Sequence, residues 1–136
     1  MRTKKVKPPP SKFEYVLNIS KEYDVIFKKD YISFKFRTAK EFLTFRYILN
    51  ILEEINGTKL NFNIIGFKAP IGDLSNHGYA GHEYRFYDFK FAEYQILISR
   101  KDVDNSKFKL KIARSKSKPL TISSVSKNTF IEIVIS

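Results

Sequence analysis

Lys107, Lys109 and Lys111 alternate with Phe108, Leu110 and Ile112. Successive side chains of an extended strand point to opposite faces, so this segment can seat three apolar groups in a core while presenting three ammonium groups outward. The pitch of that ladder, about 6.6 Å for two residues, is similar to the spacing of successive phosphates along a nucleic-acid backbone. From Arg100 to Lys118, eight cations (Arg100, Lys101, Lys107, Lys109, Lys111, Arg114, Lys116, Lys118) stand against two acids, Asp102 and Asp104. Lysine offers a phosphate a point charge and arginine a fork. Each phosphate so neutralised releases condensed counterions. The competing reading is an edge strand whose lysines block aggregation, but that needs one or two lysines rather than eight cations. The chemistry indicated is capture of a polyanion.

Other cations extend the candidate surface. Arg2, Lys4, Lys5, Lys7 and Lys12 surround Pro8-Pro9-Pro10, and no acid interrupts residues 1–12. Proline favours extended polyproline geometry, so these residues form a basic arm, either a solvated tail or an RNA contact. Lys68 precedes, and Arg85 stands within, a stretch that contains His77, Tyr79, His82, Tyr84, Phe86, Tyr87 and Phe89. Aromatics among cations can stack on unpaired bases; the same rings can equally be strand core. His77 and His82 could serve as metal ligands or as an acid–base pair. A zinc site needs three or four ligands, and only Asp73 or Glu83 stand near enough in sequence to complete one. No catalytic residue, metal or cofactor is therefore assigned. Thr121–Ser126 is rich in hydroxyls but lacks a nearby histidine–acid pair.

Composition sets the frame. The 136 residues carry a formal net charge of +11, with 43% hydrophobic and 15% aromatic residues. That is one globular domain with a modest core, and its self-repulsion is relieved by a polyanion, most commonly nucleic acid. No 18-residue apolar run and no amphipathic basic helix occurs, so no membrane partner is expected. There are no cysteines, which removes disulfide and thiolate chemistry. The expected N-terminus lacks a secretory apolar region. Lys, Asn, Ile, Phe and Tyr supply 64 of the 136 residues; AT-rich codons encode these types, which points to an AT-rich, organellar gene.

The elements that must position the cations follow from periodicity. Tyr15, Leu17 and Ile19, then Ile32, Phe34 and Phe36, alternate with polar residues and give two strands within 13–37. Val25-Ile26-Phe27 reads as a further short strand between them. Thr38 and Glu41 form a capping box. Apolar residues at 42, 45, 48, 49, 52 and 55 recur at helical spacing, and Asn56-Gly57 supplies a stop. One main helix is expected over 39–55. Leu60, Phe62 and Ile64 give the next strand, 71–90 a long loop or hairpin tip, and 91–99, 108–113 and 130–135 the last three strands.

This order of elements resembles the universal small-subunit ribosomal protein ten family. Gly66-Phe67-Lys68-Ala69-Pro70 stands where that family has a Gly-Pro-rich bend, and Tyr94-Gln95-Ile96-Leu97-Ile98-Ser99 is similar to its Val-Leu-x-Ser strand. Phe108–Lys116 stands at its third motif, and Ile131-Glu132-Ile133-Val134-Ile135 is similar to its closing strand. Only Gly66, Pro70, Leu97, Ser99 and Lys116 hold identity. The resemblance spans 31–136, with 1–12 as arm, 13–30 as N-terminal extension strands and a long loop at 66–93. It implies an α+β, ferredoxin-like antiparallel sheet with one main helix, a second helix shortened or absent among Thr121–Asn128, and an extended hairpin. The implied role is a non-enzymatic component of the small ribosomal subunit, expected in the mitochondrial matrix. Its expected partners are ribosomal RNA in the head and ribosomal proteins three, nine and fourteen. A free-standing or viral nucleic-acid-binding domain is the alternative, and a small nuclease using His77, His82 and Glu83 ranks behind it.

Overall fold

The computed structural model describes residues 14–42, 48–68, 78–100, 104–125 and 130–136. Nine strands make up its regular structure: β1 (Tyr15–Asp24), β2 (Lys29–Phe42), β3 (Ile48–Asn56), β4 (Lys59–Lys68), β5 (Gly78–Phe86), β6 (Glu93–Arg100), β7 (Asp104–Ile112), β8 (Leu120–Ser124) and β9 (Ile131–Ile135). Their hydrogen-bonded order is β8-β7-β6-β4-β3-β5-β2-β1-β9. Hairpins pair β1 with β2, β3 with β4, and β6 with β7 antiparallel, whereas β1/β9 and β4/β6 run parallel. A single backbone pair, Ile48 with Gly81, links β3 to β5. Among the described residues the order thus falls into two mixed sheets joined at that pair, β8-β7-β6-β4-β3 and β5-β2-β1-β9.

The α+β expectation is overturned. Among the described residues there is no helix. Thr38 and Glu41, read as a capping box, belong to β2, and the C-terminal half of the expected helix is β3. Residues 43–47 lie outside the described residues. The apolar positions 49 and 55 fit both periods, since Leu49, Ile51 and Ile55 also alternate; Leu49 and Ile51 are buried while Leu52, which only the helix needed, is exposed. Tertiary pairing with β4 decided a pattern that sequence left degenerate. The sheet is mixed rather than purely antiparallel. Leu120–Ser124 is a strand where a shortened second helix was expected, and residues 78–86 of the expected loop form β5. Val25-Ile26-Phe27 is the β1–β2 turn, not a strand.

The core lies between the two sheets. Period-two alternation turns Leu17 and Ile19, Ile32, Phe34 and Phe36, Leu60, Phe62 and Ile64, Tyr94, Ile96 and Ile98, and Phe108, Leu110 and Ile112 inward. Phe62 is its keystone. Its ring lies 5.3 Å from Phe34, 5.1 Å from Phe36 and 5.8 Å from Tyr84, all on the facing sheet. Removing such a fully buried ring costs about 3–5 kcal/mol, a large share of the roughly 5–15 kcal/mol that holds a domain together. The outward faces of the same strands are thereby fixed in register, and one of them carries the lysine ladder.

Candidate nucleic-acid interface

β7 presents Lys107, Lys109 and Lys111 to solvent and Phe108, Leu110 and Ile112 to the core. It is not an edge strand: β6 pairs along one side and β8 along the other. The aggregation-blocking reading of these lysines therefore loses its basis, because edges need that protection and this strand has both ladders filled. The lysines also repel one another. At the two-residue pitch that repulsion is weak through water and screened by salt, and Glu93 stands beside Lys111 in register. A row of like charge attracts an anion to that face.

Register places the row in a wider arrangement. Lys109 stands beside Gln95 of β6, which stands beside Lys59 of β4; Lys107 stands beside Leu97, and Leu97 beside Asn61. These outward side chains surround a concavity of about 450 Å³, whose lining also includes Val125 just past β8. Lysines on two strands, with amides between them, offer cations and hydrogen-bonding groups over one shallow groove. Lys59 was absent from the residues expected from sequence. The signal was present, since inward Leu60, Phe62 and Ile64 force Lys59, Asn61 and Asn63 onto the outward side.

The row continues past Lys111 into the β7–β8 loop, residues 113–119, where Arg114, Lys116 and Lys118 are exposed. Backbone N–H of Lys118 donates to Ser115 Oγ at 3.2 Å, which ties the loop to itself. Arg114 is stacked 4.8 Å above the Phe91 ring.

Other expected contacts lie elsewhere. Arg85 projects from β5 in the second sheet, lies 3.4 Å from Glu83 and 3.6 Å from Asp24, and covers the Tyr31 ring at 4.9 Å. Arg100 is at the far end of β6, paired with Glu14 and placed 5.1 Å over Phe130. Both are engaged within the fold. Lys68 ends β4, distant in register from Lys59. Arg2, Lys4, Lys5, Lys7 and Lys101 lie outside the described residues.

The aromatic segment is mostly structural. Phe86 is buried, Tyr84 and Phe89 pack against the core, and Tyr87 stands 5.2 Å from Tyr31. Burial, then the charges of Glu53 and Asp88, raise the Tyr84 phenol above its ordinary pKa. His82 and Glu83 are neighbours in sequence and so point to opposite faces of β5: His82 meets Glu53, while Glu83 accepts a 2.7 Å hydrogen bond from Ser33 Oγ. Of the three residues of the nuclease reading, His82 and Glu83 do not converge, and His77 lies outside the described residues. No group of three or more histidines or acids able to hold a metal occurs among the described residues.

Compared with protein families, with curated proteins and with solved structures, the chain matches none.

Proposed function

We propose that this domain binds RNA through the outward face of β4, β6 and β7, extended by the β7–β8 loop, and carries out no catalysis. The observation that supports this most is the position of the lysine row on a strand paired on both sides, next to a groove that Lys59 closes from two strands away. Electrostatic capture of phosphates explains why repulsive charge is concentrated there, and the amides of Asn61 and Gln95 are suited to sugar or base edges.

The ribosomal setting is a narrower proposal. It rests on the order of residues quoted above, while the helix-bearing fold implied by that resemblance is not the fold of this chain. A mitochondrial small subunit is the particle in which to look first, because the amino-acid composition suggests an organellar gene and the resemblance a small ribosomal subunit.

The test is fluorescence anisotropy with a mixed-sequence single-stranded RNA across a salt series. Lys107→Glu with Lys109→Glu is expected to weaken binding and to lower the log–log salt slope by about 1.4, from about 0.7 per phosphate contact on single strands, with an unchanged circular dichroism spectrum. Undiminished affinity in a folded double variant overturns the proposal. RNA that is shortened by the wild type, and left intact by His82→Ala, replaces it with the nuclease reading. Co-sedimentation with small subunits through a high-salt gradient supports the ribosomal setting; a free monomer leaves an independent RNA-binding domain.

A further inference from the structure

Turns between strands normally carry Gly, Pro, Asn, Asp or Ser. The β1–β2 turn carries Val25, Ile26 and Phe27, which are 75%, 83% and 65% exposed. These three consecutive side chains form a convex apolar tip, and it is held in shape. Asp24 Oδ1 accepts from the N–H of Ile26 at 2.9 Å and from the N–H of Phe27 at 3.1 Å, while Asp24 Oδ2 accepts from the Tyr87 hydroxyl at 2.8 Å. The Phe27 ring meets Tyr87 edge-on at 5.9 Å. Lys28 completes the turn at a φ of 55°, a conformation that favours glycine or asparagine. A cation is kept there despite the strain.

The same end of the sandwich gathers the β3–β4 turn (57–58), the β5–β6 loop (87–92) and the β7–β8 loop (113–119), as the pairings of Asp24 with Lys29, Ile32 with Phe86, Lys59 with Gln95, and Glu93 with Lys111 require. Together with the tip these connections hold five cations, Lys28, Lys90, Arg114, Lys116 and Lys118, against one acid, Asp88. Phe91, 47% exposed, adds a second apolar group beside Arg114. Apolar side chains in front with cations behind them match the layering of an anionic bilayer, in which acyl chains lie beneath a plane of phosphates. No helix among the described residues is long and apolar enough to cross a membrane; what this end offers a bilayer is an exposed apolar turn.

We infer that Val25, Ile26 and Phe27 form a membrane-contact tip that enters the interface of an anionic phospholipid bilayer while the surrounding lysines meet its headgroups. The site shares the cations of the β7–β8 loop with the proposed RNA surface but not Lys107, Lys109 and Lys111, and it does not rest on RNA binding.

The chain has no tryptophan, so Phe27→Trp introduces a lone reporter. Its emission is expected to shift to the blue on adding vesicles of phosphatidylcholine with phosphatidylserine, and to stay unchanged with phosphatidylcholine alone. Vesicle sedimentation of the full chain is expected to weaken about tenfold or more in Ile26→Asp and to fall in Lys28→Glu with Lys29→Glu. Lys107→Glu with Lys109→Glu retains this dependence on Ile26. Absence of a spectral shift, or equal vesicle binding by folded Ile26→Asp and wild type, overturns the inference. So does a concentration-dependent dimer that Ile26→Asp dissolves without any vesicle binding, which assigns the tip to a second copy.

Discussion

His82 Nε2 lies 2.6 Å from Glu53 Oε1 across the seam between the two sheets. Among the described residues the backbone joins β3 to β5 at one pair, Ile48 and Gly81. The side-chain link crosses the gap, with both groups only about a quarter exposed (23% and 25%). Glu53→Ala and His82→Ala are each expected to cost about 0.5–1.5 kcal/mol, and a double-mutant cycle in urea to return a coupling of at least about 0.5 kcal/mol. Strictly additive losses would show that the two residues act separately.

Gly57 makes the first central residue of the two-residue turn between β3 and β4, at a φ of 62°. A glycine with positive φ there matches the type II′ hairpin turn, whose twist suits antiparallel strands. An added Cβ would meet nothing within 4 Å, so Gly57→Ala isolates the backbone term. It is expected to destabilise by about 1–2 kcal/mol, read as a lower urea midpoint with an unchanged slope. A neutral result would mean that the turn changes type at little cost.

That turn also explains what was legible. Asn56-Gly57 signals a left-handed residue, and both a helix stop and a hairpin need one. With Thr38 and Glu41 placed like a capping box, the helical choice followed, although Leu49, Ile51 and Ile55 alternate as well as recur. β1, β2, β4, β6 and β7 were readable because polar residues separate their inward apolar ones. β5 was not, since Gly78, Gly81 and the histidines read as loop. On the site, alternation alone gave Lys107, Lys109 and Lys111. Alternation also puts Lys59 on an outward face, but placing it beside the lysine row required knowing that β4 pairs with β6 in parallel, a non-local fact. Arg100 looked like a free cation because its acid, Glu14, is far away in sequence, and of the two acids beside Arg85 only Glu83 is a sequence neighbour while Asp24 is distant.

Asp24 provides a pH test. Its side chain is 7% exposed, and its carboxyl sits below its ordinary pKa because the Phe27 N–H and then the Tyr87 hydroxyl donate to the ionised form. A depressed folded-state value means that the stabilisation is fully present above the unfolded value, about 3.9, and disappears as pH falls through the folded value. Asp24→Ala should therefore lower Tm by a constant amount between about pH 5 and 8, and the gap to wild type should close below about pH 4. A gap that persists at the acid end would assign the effect to packing rather than charge.

Lys59 separates a site from mere net charge. A domain at +11 attracts any polyanion, so losing affinity on a single reversal proves little by itself. Lys35 is the control: it is exposed on β2, on the outward side of the other sheet. Lys59→Glu and Lys35→Glu change the net charge equally, and long-range attraction treats them alike once screening beyond about 10 Å at 0.1 M salt is included. If RNA lies in the groove between β4 and β7, only Lys59→Glu removes a phosphate contact. It should lower the log–log salt slope by about 0.7 and weaken binding most at low salt, while Lys35→Glu leaves the slope near the wild-type value. Equal slopes for the two variants would move the contact surface away from the groove, whatever their effect on affinity.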